Sequence, residues 1–430
     1  MPLGDADARL LAAARRAAAA VNEERFMRRI EALAQIGGLP NGGVDRPAFS
    51  DTERAATDLF AQWMHEAGLT VRYDRFGNMF GSSDGNAPNV SVAAAGSHLD
   101  TVPCGGRYDG VIGCIGALET IDAMRDAGIT PTMPMEVVVW RAEEPYRFMQ
   151  GRVGSLIFAG KLATADLVHR GEPFDVEASL NADGGRPVRA SGRTLVSLLE
   201  LHIEQGKRLQ DAGRVIGVVT AISGTTRLKI AVTGMADHSG ATPMELRHDA
   251  LCAAAEIVLA VEQAGLAEPM PESVATTAIL SVTPGAMNVV PGSAELFLDI
   301  RGTETARIQR MVDAITEEAE VIAGRRSVNL AISSLTRGTP VMLEPAMVTS
   351  IERTANALGY LPMRMASGAG HDVQSVADRT RVGMIFVPSK GGVSHAPHEF
   401  TSSADIASGI RVLAAEWVCT SLQVHDCGTG

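Results

Sequence analysis

Cysteine is scarce in this sequence, with only five residues among 430, and no two of them stand in a CxxC pair. An odd number of cysteines without paired spacing does not form the framework of a disulfide-rich secreted domain. The pattern predicts reduced thiols and a cytoplasmic location. The five positions are Cys104, Cys114, Cys252, Cys419 and Cys427.

Net positive charge is also absent, because 50 acidic residues outnumber 38 lysines and arginines and leave a formal charge of −12. We therefore expect neither nucleic acid nor an anionic membrane to be the main partner. No apolar run is expected to be long enough to span a bilayer, and charged residues interrupt the alanine-rich N-terminus before it could form a signal sequence. Residues 10–38 instead predict one amphipathic helix that ends at Gly37-Gly38.

The sequence does have a globular composition, with 46% hydrophobic and 20% charged residues, and a length that suggests more than one domain. Short apolar segments alternate with helical periodicity in the first and last parts of the chain. This alternation predicts an α/β layer whose sheet is covered on both faces. The predicted strands are 70–76, 90–96, 135–140 and 381–388, and the predicted helices are 53–67, 111–127, 346–358 and 403–422.

The middle of the chain has a different pattern. Four segments of alternating hydrophobicity are interleaved with two helical segments, which favours an α+β layer with its helices on one side of the sheet. We therefore expect residues 215–330 to form an inserted domain, and residues 1–214 and 331–430 to form one discontinuous domain. The predicted strands of the insert are 214–222, 226–234, 273–282 and 293–301, and its helices are 249–264 and 305–323.

Acidic and histidine residues follow several of the predicted strands, where ligand sites of open α/β sheets lie. The stretch SHLDTVPCGGRYDG contains His98, Asp100 and Asp109, and the stretch EEPYRF contains Glu143 and Glu144. A structural interpretation is open for each stretch alone, because Asp and Gly are common in turns and an acidic pair is common in a solvated loop.

Two further motifs add histidines. LELHIEQG contains His202 and Glu204, which share a face if the segment is extended, and GGVSHAPHEF contains His395, His398 and Glu399. A lone histidine is more often a core residue than a ligand. Together, however, the motifs supply three imidazoles and two carboxylates, with Glu143 to spare, and this set suits two divalent ions such as Zn²⁺ or Mn²⁺ that share a carboxylate.

In their order and spacing the motifs resemble those of the M20 metallopeptidase clan. The closer resemblance is to its amidase/carbamoylase (hydantoinase-associated) branch, which includes N-carbamoyl-L-amino acid hydrolases, allantoate amidohydrolases and β-ureidopropionases. It extends from about residue 25 to residue 415 and rests on SHLDTVPCGGRYDG, EEPYRF, LHIEQG, ADHSGATPM, MNVVPG, LDIR, GAGHD and SHAPHE. It implies an α/β fold, with a mixed-sheet, zinc-peptidase-like catalytic domain and an inserted α+β lid domain that mediates homodimerisation.

The resemblance also implies roles for individual residues. Asp109 would bridge two divalent ions per chain (zinc, manganese, cobalt or nickel), and Glu143 would be the general base. Asp100 would accept the second N–H of the His98 ring and fix its tautomer. The remaining ligands, one pair for each ion, would be His98 with His202 and Glu144 with His395.

The same resemblance assigns substrate contacts. His238 would polarise the scissile carbonyl, and Asn288 and Arg301 would hold a substrate carboxylate, the arginine through a bidentate fork. Structural roles stay open, since Arg301 could pair with Asp299 or Glu304 and His238 could be a turn residue. Further residues expected to line the pocket are Gln205, Arg227, Gly370 and His371, of which Arg227 and His371 could equally be scaffold residues.

One loop departs from the family pattern. Pro145-Tyr146 and the continuation FMQGRVGS stand where relatives commonly carry a small polar stretch. Because this loop would border the metal site, Tyr146 and Met149 are expected to reshape the pocket, which leaves the usual substrate open.

The leading expectation for function is hydrolysis of a linear C–N amide bond, in particular the carbamoyl bond of an N-carbamoyl-L-amino acid or ureido acid, as a homodimer acting on a carboxylate-bearing small molecule. The alternatives are an aminoacylase-like or dipeptidase-like hydrolase, a hydrolytic deaminase of an unusual amine, and a metal-stabilised binding module without catalysis. The presence of Glu143 beside a full ligand set argues against the last alternative.

Overall fold

A computed structural model describes residues 5–85, 87–182 and 192–422 of the chain; Cys427 lies outside them. The helices, in chain order, are α1 (Asp5–Ala19), α2 (Glu23–Gln35), α3 (Asp51–Glu66), α4 (Val111–Asp126), α5 (Val153–Phe158), α6 (Val176–Ala182), α7 (Arg208–Asp211), α8 (Ala250–Ala267), α9 (Thr305–Arg326), α10 (Pro345–Ala357), α11 (Val373–Val376) and α12 (Ser403–Leu422). The strands are β1 (Thr70–Tyr73), β2 (Met79–Ser82), β3 (Ser91–His98), β4 (Met135–Trp140), β5 (Val168–His169), β6 (Glu172–Pro173), β7 (Thr194–Ile203), β8 (Gly217–Ile222), β9 (Gly224–Thr233), β10 (Asp237–His238), β11 (Val274–Thr283), β12 (Val289–Val290), β13 (Ser293–Gly302), β14 (Asn329–Arg337), β15 (Val341–Met342), β16 (Met363–Ser367) and β17 (Arg381–Val387).

The chain forms two compact units. The larger unit consists of Met1–Thr220, Leu343–Met365 and Gly370–Gly430, and the smaller unit consists of Ala221–Met342 and Ala366–Ala369. The smaller unit begins six residues later and ends twelve residues later than the insert expected at 215–330. The bounds differ because β8 joins the large sheet and β14 joins the small sheet, as described below.

The large sheet has nine strands in the order β1-β2-β4-β3-β7-β17-β8-β15, with β16 also paired to β8. The four strands β4, β3, β7 and β17 are parallel, and the pairs β1·β2, β2·β4, β17·β8 and β8·β15 are antiparallel. The sheet is therefore mixed, and the predicted α/β fold class is confirmed. Because the parallel strands all end at the same edge, the segments that leave them meet there.

The helices that cover this sheet can approach closely because the strand beneath them has small side chains. β3 reads SVAAAGSH and is buried from its second residue onward. Both α4 and α12 pack against β3 and against each other, and Trp417 of α12 is fully buried. This close packing fixes the carboxyl end of β3, which carries His98.

The prediction of one N-terminal helix over 10–38 was wrong. The helix breaks at Asn22, whose side chain accepts the N–H of Arg25 and caps α2, while the Asn22 N–H donates to Glu119 over 2.8 Å. A side-chain cap of this kind competes with continuing a helix. The two helices pack separately, α1 against α12 and α2 against α4.

The smaller unit contains an antiparallel sheet in the order β11-β13-β9-β14, with α8 and α9 packed on it. Its core joins Ile230 and Leu296 of the sheet to Ile257 and Ile315 of the helices. Segment 214–222 was assigned to this sheet, but β8 pairs within the large sheet and is almost continuously buried. The fourth strand of the small sheet is instead β14, beyond the expected boundary. Alternating hydrophobicity does not specify which sheet a strand joins.

The expectation that no apolar run could span a bilayer was wrong by the criteria of length and composition. Helix α8 has 18 residues with a mean hydropathy of 1.6. One third of it is buried, including Ile257 and Val261 against the small sheet. In the described part of the chain it is the one helix with these properties, and it belongs to the core of the smaller unit.

Candidate metal centre and active site

Five side chains at the carboxyl edge of the parallel strands form two groups that share Asp109. His98 and His202 direct Nε2 toward Oδ1 of Asp109, over 3.5 and 3.2 Å. His395 Nε2 lies 3.4 Å from Oδ2 of Asp109 and 3.3 Å from Oε1 of Glu144. Within each group the possible ligand atoms lie within 4.8 Å of one another. The five predicted ligands are therefore brought together, with one carboxylate between the two groups.

The two buried histidines are held in the orientation that a metal ligand needs. His98 ends β3 opposite Trp140 of β4, and His202 lies on β7 opposite Phe386 of β17. Nδ1 of His98 lies 2.9 Å from the main-chain oxygen of Asp100, and Nδ1 of His202 lies 2.9 Å from that of Ile203. When Nδ1–H donates to a carbonyl, Nε2 carries the lone pair that binds a cation. The donor set and its orientation fit divalent metal ions.

The Asp109 loop can approach the His98 ring this closely only because residue 110 is a glycine. Gly110 has a φ of +66°, and a Cβ placed there would lie 2.5 Å from the His98 ring. The Gly110 N–H donates toward Nε2 of His202 over 3.2 Å. A larger residue would therefore separate Asp109 from both imidazoles.

Glu399 holds the Asp109 loop from the other side. Its Oε1 accepts the N–H groups of Tyr108 and Asp109 over 2.9 and 3.1 Å, and its Oε2 accepts the hydroxyl of Ser394 over 3.1 Å. Ser394 Oγ also lies 2.7 Å from Oδ2 of Asp109. A Cβ at Gly106 would lie 2.1 Å from Glu399. Glu399 thus positions the shared carboxylate without being in either ligand group, whereas His398 beside it is exposed.

Asp100 has a different partner from the one expected. Its carboxylate accepts the N–H of Glu143 over 3.2 Å and that of Glu144 over 3.0 Å. Nδ1 of His98 is 3.8 Å from this carboxylate and instead bonds the main-chain oxygen of Asp100. The expected contact of the carboxylate with His98 is therefore corrected. Asp100 connects the His98 loop to the Glu143-Glu144 loop, through its carbonyl on one side and its carboxylate on the other.

Glu143 lies beside the two ligand groups, with Oε2 3.9 Å from Nε2 of His98. Burial raises the pKa of its carboxyl to about 7; His98 lowers this pKa, and Asp100 and Asp109 raise it. Burial also acts to raise the pKa of Asp109, but the imidazoles around it hold that pKa well below its usual range. One carboxyl is thus poised to exchange a proton near neutral pH while its neighbour stays ionised.

The other predicted pocket residues of the larger unit lie around the same centre. Gln205 has a φ of +59° and directs Nε2 at Oδ2 of Asp109 over 2.7 Å. The ring of His371 packs on that of His202 with centroids 4.7 Å apart, and Gly370 precedes it. His371, His202 and Glu200 form a third group of possible ligands. Glu200, however, already accepts the hydroxyl of Ser97 and the N–H of Val373.

Glu204, which the sequence left open, is not part of either ligand group. Its carboxylate accepts the N–H groups of Arg208 and Leu209 over 2.7 and 2.9 Å. It therefore caps the short helix α7.

The remaining predicted residues lie in the smaller unit. His238 on β10 pairs with Val289 of β12, and its Nδ1 accepts main-chain N–H groups within its own turn. The main-chain oxygen of the neighbouring Asn288 accepts the Ser239 N–H over 3.1 Å. Arg227 and Arg301 both form ion pairs with Asp299. For Arg301 this is the structural pairing that the sequence left open.

The residues around Glu143 that sequence reasoning missed come from the loop that departs from the family pattern. Tyr146 and Met149, expected to reshape the pocket, are 53% and 80% exposed. Arg152 is the residue of this loop that lies next to Glu143, since its N–H donates to the Glu143 oxygen. The signal for it was an arginine between a glycine and an apolar residue, in the loop that also carries Glu143 and Glu144.

Residues 94–416 match the family described as Peptidase family M20/M25/M40. The chain belongs to this family. It is 38% identical to an N-carbamoyl-L-amino acid amidohydrolase of Geobacillus stearothermophilus over 91% of this chain and 97% of that protein. A ureidoglycolate hydrolase of Arabidopsis thaliana is 35% identical over 92% of this chain and 86% of its own length.

A solved structure of a hydantoinase/carbamoylase family amidase from Burkholderia multivorans superposes with a TM-score of 0.86 at 34% identity. It covers 94% of this chain and 98% of that one. The resemblance inferred from the motifs is confirmed. This M20 family chain is a metal-dependent amidohydrolase.

Proposed function

We propose that this M20 family enzyme hydrolyses the carbamoyl C–N bond of N-carbamoyl-L-amino acids or closely related ureido acids. The observation that carries the proposal is one carboxylate, Asp109, shared by two ligand groups, with the carboxyl of Glu143 in neither group and 3.9 Å from Nε2 of His98. The relatives named above, an N-carbamoyl-L-amino acid amidohydrolase and a ureidoglycolate hydrolase, support the substrate class.

The five ligand residues suit two divalent ions per chain, of the zinc, manganese, cobalt or nickel type. His98 and His202 would hold one ion, Glu144 and His395 would hold the other, and Asp109 would contribute to both. Such ions, when bound, act as Lewis acids toward a carbonyl oxygen and acidify water. The buried Nδ1–H contacts of the histidines support this role because they fix each ring before a ligand arrives.

Glu143 moves the proton in this proposal. Its carboxylate takes a proton from the water that attacks the carbamoyl carbon and returns it to the substituted nitrogen as the C–N bond to the amino acid breaks. The carbamate formed at the same time decomposes to CO2 and ammonia. A pKa of about 7 suits both proton transfers. Asp100 orients this group by accepting the N–H of Glu143.

The remaining substrate contacts are assigned from the family resemblance. We assign polarisation of the scissile carbonyl to His238. Asn288 and Arg301 would bind the substrate carboxylate, and Arg227 would support Arg301 through their shared ion-pair partner Asp299. Gln205, Gly370 and His371 would line the pocket beside the metal ligands. Asp299 supports the arginine assignment because it fixes two guanidinium groups at neighbouring positions of one sheet.

We also propose that the chain forms a homodimer through the smaller unit. Three leucines, Leu251, Leu259 and Leu266, form an exposed stripe along α8, and Ile279 and Leu280 are exposed on the adjacent edge strand β11. An exposed apolar edge strand beside an apolar helix face is suited to pairing with a second copy. Leu259→Glu should give a monomer in sedimentation equilibrium, and the matched change Val321→Glu on α9 should leave a dimer. A wild-type monomer would refute this part.

A cytoplasmic location is part of the proposal. The cysteines in the described ranges are free, which suits a reducing compartment.

A substrate panel on the metal-reconstituted enzyme tests the proposed reaction. We expect ammonia release from N-carbamoyl-L-amino acids, and the panel includes allantoate, ureidopropionate and the D-enantiomers. Amine release from N-acyl amino acids and dipeptides reports the aminoacylase and dipeptidase alternatives. Activity confined to that second group would overturn the proposed bond, and no turnover on any member would overturn the proposed substrate class.

A further inference from the structure

The loop between β4 and α5 places an arginine beside the proposed base. The Arg152 N–H donates to the main-chain oxygen of Glu143 over 2.7 Å, and the next two N–H groups, of Val153 and Gly154, donate to the oxygens of Ala142 and Arg141. These three hydrogen bonds close the loop on itself. The Cα of Arg152 is therefore held next to Glu143.

The base of this loop is rigid. Ala142, Phe148 and Val153 are buried in a cluster with Phe76 and Leu167. Ala142 and Arg152 both have left-handed backbones, with φ values of 59° and 61°. Non-glycine residues keep such conformations only where the surrounding structure imposes them, and they are frequent at functional sites. A side chain anchored this way can position a ligand.

Arg152 is half-buried, and its guanidinium has few contacts with the protein. Its Nη1 lies 3.4 Å from Ser375 Oγ, a long hydrogen bond, and a Cβ added at Gly370 would lie 3.4 Å from its Nε. The acidic groups facing it are Glu143 and Asp372. Across residues 5–85, 87–182 and 192–422 it forms no ion pair, and its Nε and Nη2 have no hydrogen-bond acceptor.

The positive charge of Arg152 is not compensated by protein groups alone. Burial lowers the pKa of Arg152, which reflects the cost of removing its charge from water. Arg301 differs, because its Nε and Nη2 bind Asp299 and its Nη1 binds the oxygen of Gly368. Three of the five N–H groups of the Arg301 guanidinium donate to protein oxygens and two remain for a ligand, whereas Arg152 makes one long hydrogen bond and keeps four.

The position of Arg152 beside the proposed base indicates which part of the substrate Arg152 faces. Glu143 delivers a proton to the leaving nitrogen, so a residue held against Glu143 lies toward the substituents of that nitrogen. In an N-carbamoyl amino acid those substituents are the amino-acid portion. A carboxylate there could accept two parallel N–H groups from the guanidinium fork.

We propose that Arg152 binds a second carboxylate of the substrate, so that the preferred substrates are N-carbamoyl or ureido derivatives of dicarboxylic amino acids. This inference rests on the proposed carbamoyl hydrolysis. Arg152 selects for a carboxylate in addition to the α-carboxylate that every N-carbamoyl amino acid carries.

The test compares two substrates that differ in one group, N-carbamoyl-L-glutamate and N-carbamoyl-L-glutamine, by kcat/KM on the metal-reconstituted enzyme. Wild type should prefer the diacid by about 10-fold or more, as for a hydrogen-bonded charged group. Arg152→Gln should lose about 10- to 100-fold on the diacid, so that the ratio of the two kcat/KM values falls toward one. Arg152→Lys should give an intermediate ratio because it keeps the charge without the fork.

Lys161→Gln is the matched control, since this partly exposed cation near the same loop pairs with Asp378 instead, and it should keep the wild-type ratio. Equal losses on both substrates in Arg152→Gln would overturn the inference and indicate that Arg152 acts through Glu143. If Arg152→Gln does not fold, an unchanged ratio in Arg152→Lys overturns it equally. Hydrolysis of N-carbamoyl-L-glutamine without preference for the diacid overturns this inference alone, whereas no ammonia from any carbamoyl substrate overturns the proposed function.

Discussion

Replacing Asp100 by asparagine tests how the two loops of the metal centre are joined. The native carboxylate accepts the N–H groups of Glu143 and Glu144 over 3.2 and 3.0 Å, while its main-chain oxygen accepts Nδ1–H of His98. Asparagine has one side-chain acceptor, so one of the two N–H groups loses its partner and faces an NH2 group instead. The main-chain contact to His98 is unchanged by the substitution.

The size of the effect follows from that single lost bond. A hydrogen bond to a charged group contributes about 1.5–3 kcal/mol, and the site is buried. The free energy of unfolding of the metal-free Asp100→Asn protein should fall by about that amount, and by about twice as much in Asp100→Ala. Metal affinity should fall about 10- to 100-fold, as for other residues that orient ligands.

Denaturant unfolding of the metal-free protein and competition with a chelator measure the two quantities. Asp378→Asn is the control, because it removes an exposed ion pair with Lys161 and should cost about 1 kcal/mol or less. Wild-type metal affinity together with wild-type stability in Asp100→Asn would refute the role of this carboxylate.

Four other substitutions test separate parts of the structure. Gly106→Ala should cost about 1–3 kcal/mol of stability and weaken metal binding, because its Cβ would overlap Glu399, whereas Gly324→Ala in α9, with open space around it, should stabilise by about 1 kcal/mol in the same unfolding assay. Burial acts to raise the pKa of Asp299, but its arginine partners hold it below the usual value, so its carboxylate stabilises the fold above its unfolded pKa. The stability difference between wild type and Asp299→Asn should therefore shrink as the pH falls from about 5 to 3 in acid titrations followed by circular dichroism. Asn22→Ala should cost about 0.5–2 kcal/mol through loss of the α2 cap, and an unchanged melting curve would contradict that assignment.

The sequence was sufficient to predict which residues meet at the metal centre. His98, Glu144, His202 and His395 follow or end strands with apolar composition, and parallel strands end at one edge of a sheet. Residue type then limits the chemistry, because imidazoles and carboxylates gathered there suit divalent ions. Family resemblance supplied the finer assignments.

The parts that could not be predicted depend on three-dimensional partners. Asp100 carries two kinds of acceptor, and only the folded loops decide that the carbonyl receives His98 while the carboxylate receives the Glu143-Glu144 backbone. β8 was assigned to the small sheet, but which sheet a strand joins depends on its tertiary partners and not on its own pattern of hydrophobicity. Sequence reasoning assigned no role to Arg152, because its position beside Glu143 depends on hydrogen bonds within the loop between β4 and α5.

The most direct test of the account is the metal content and turnover of Glu143→Gln, measured on one preparation beside wild type. Glu143 is the proposed base and is in neither ligand group. The account predicts two divalent ions per chain in both proteins, with turnover in the variant lower by about 10²- to 10⁴-fold. Loss of metal from the variant with activity surviving would contradict the assignment of base and ligands.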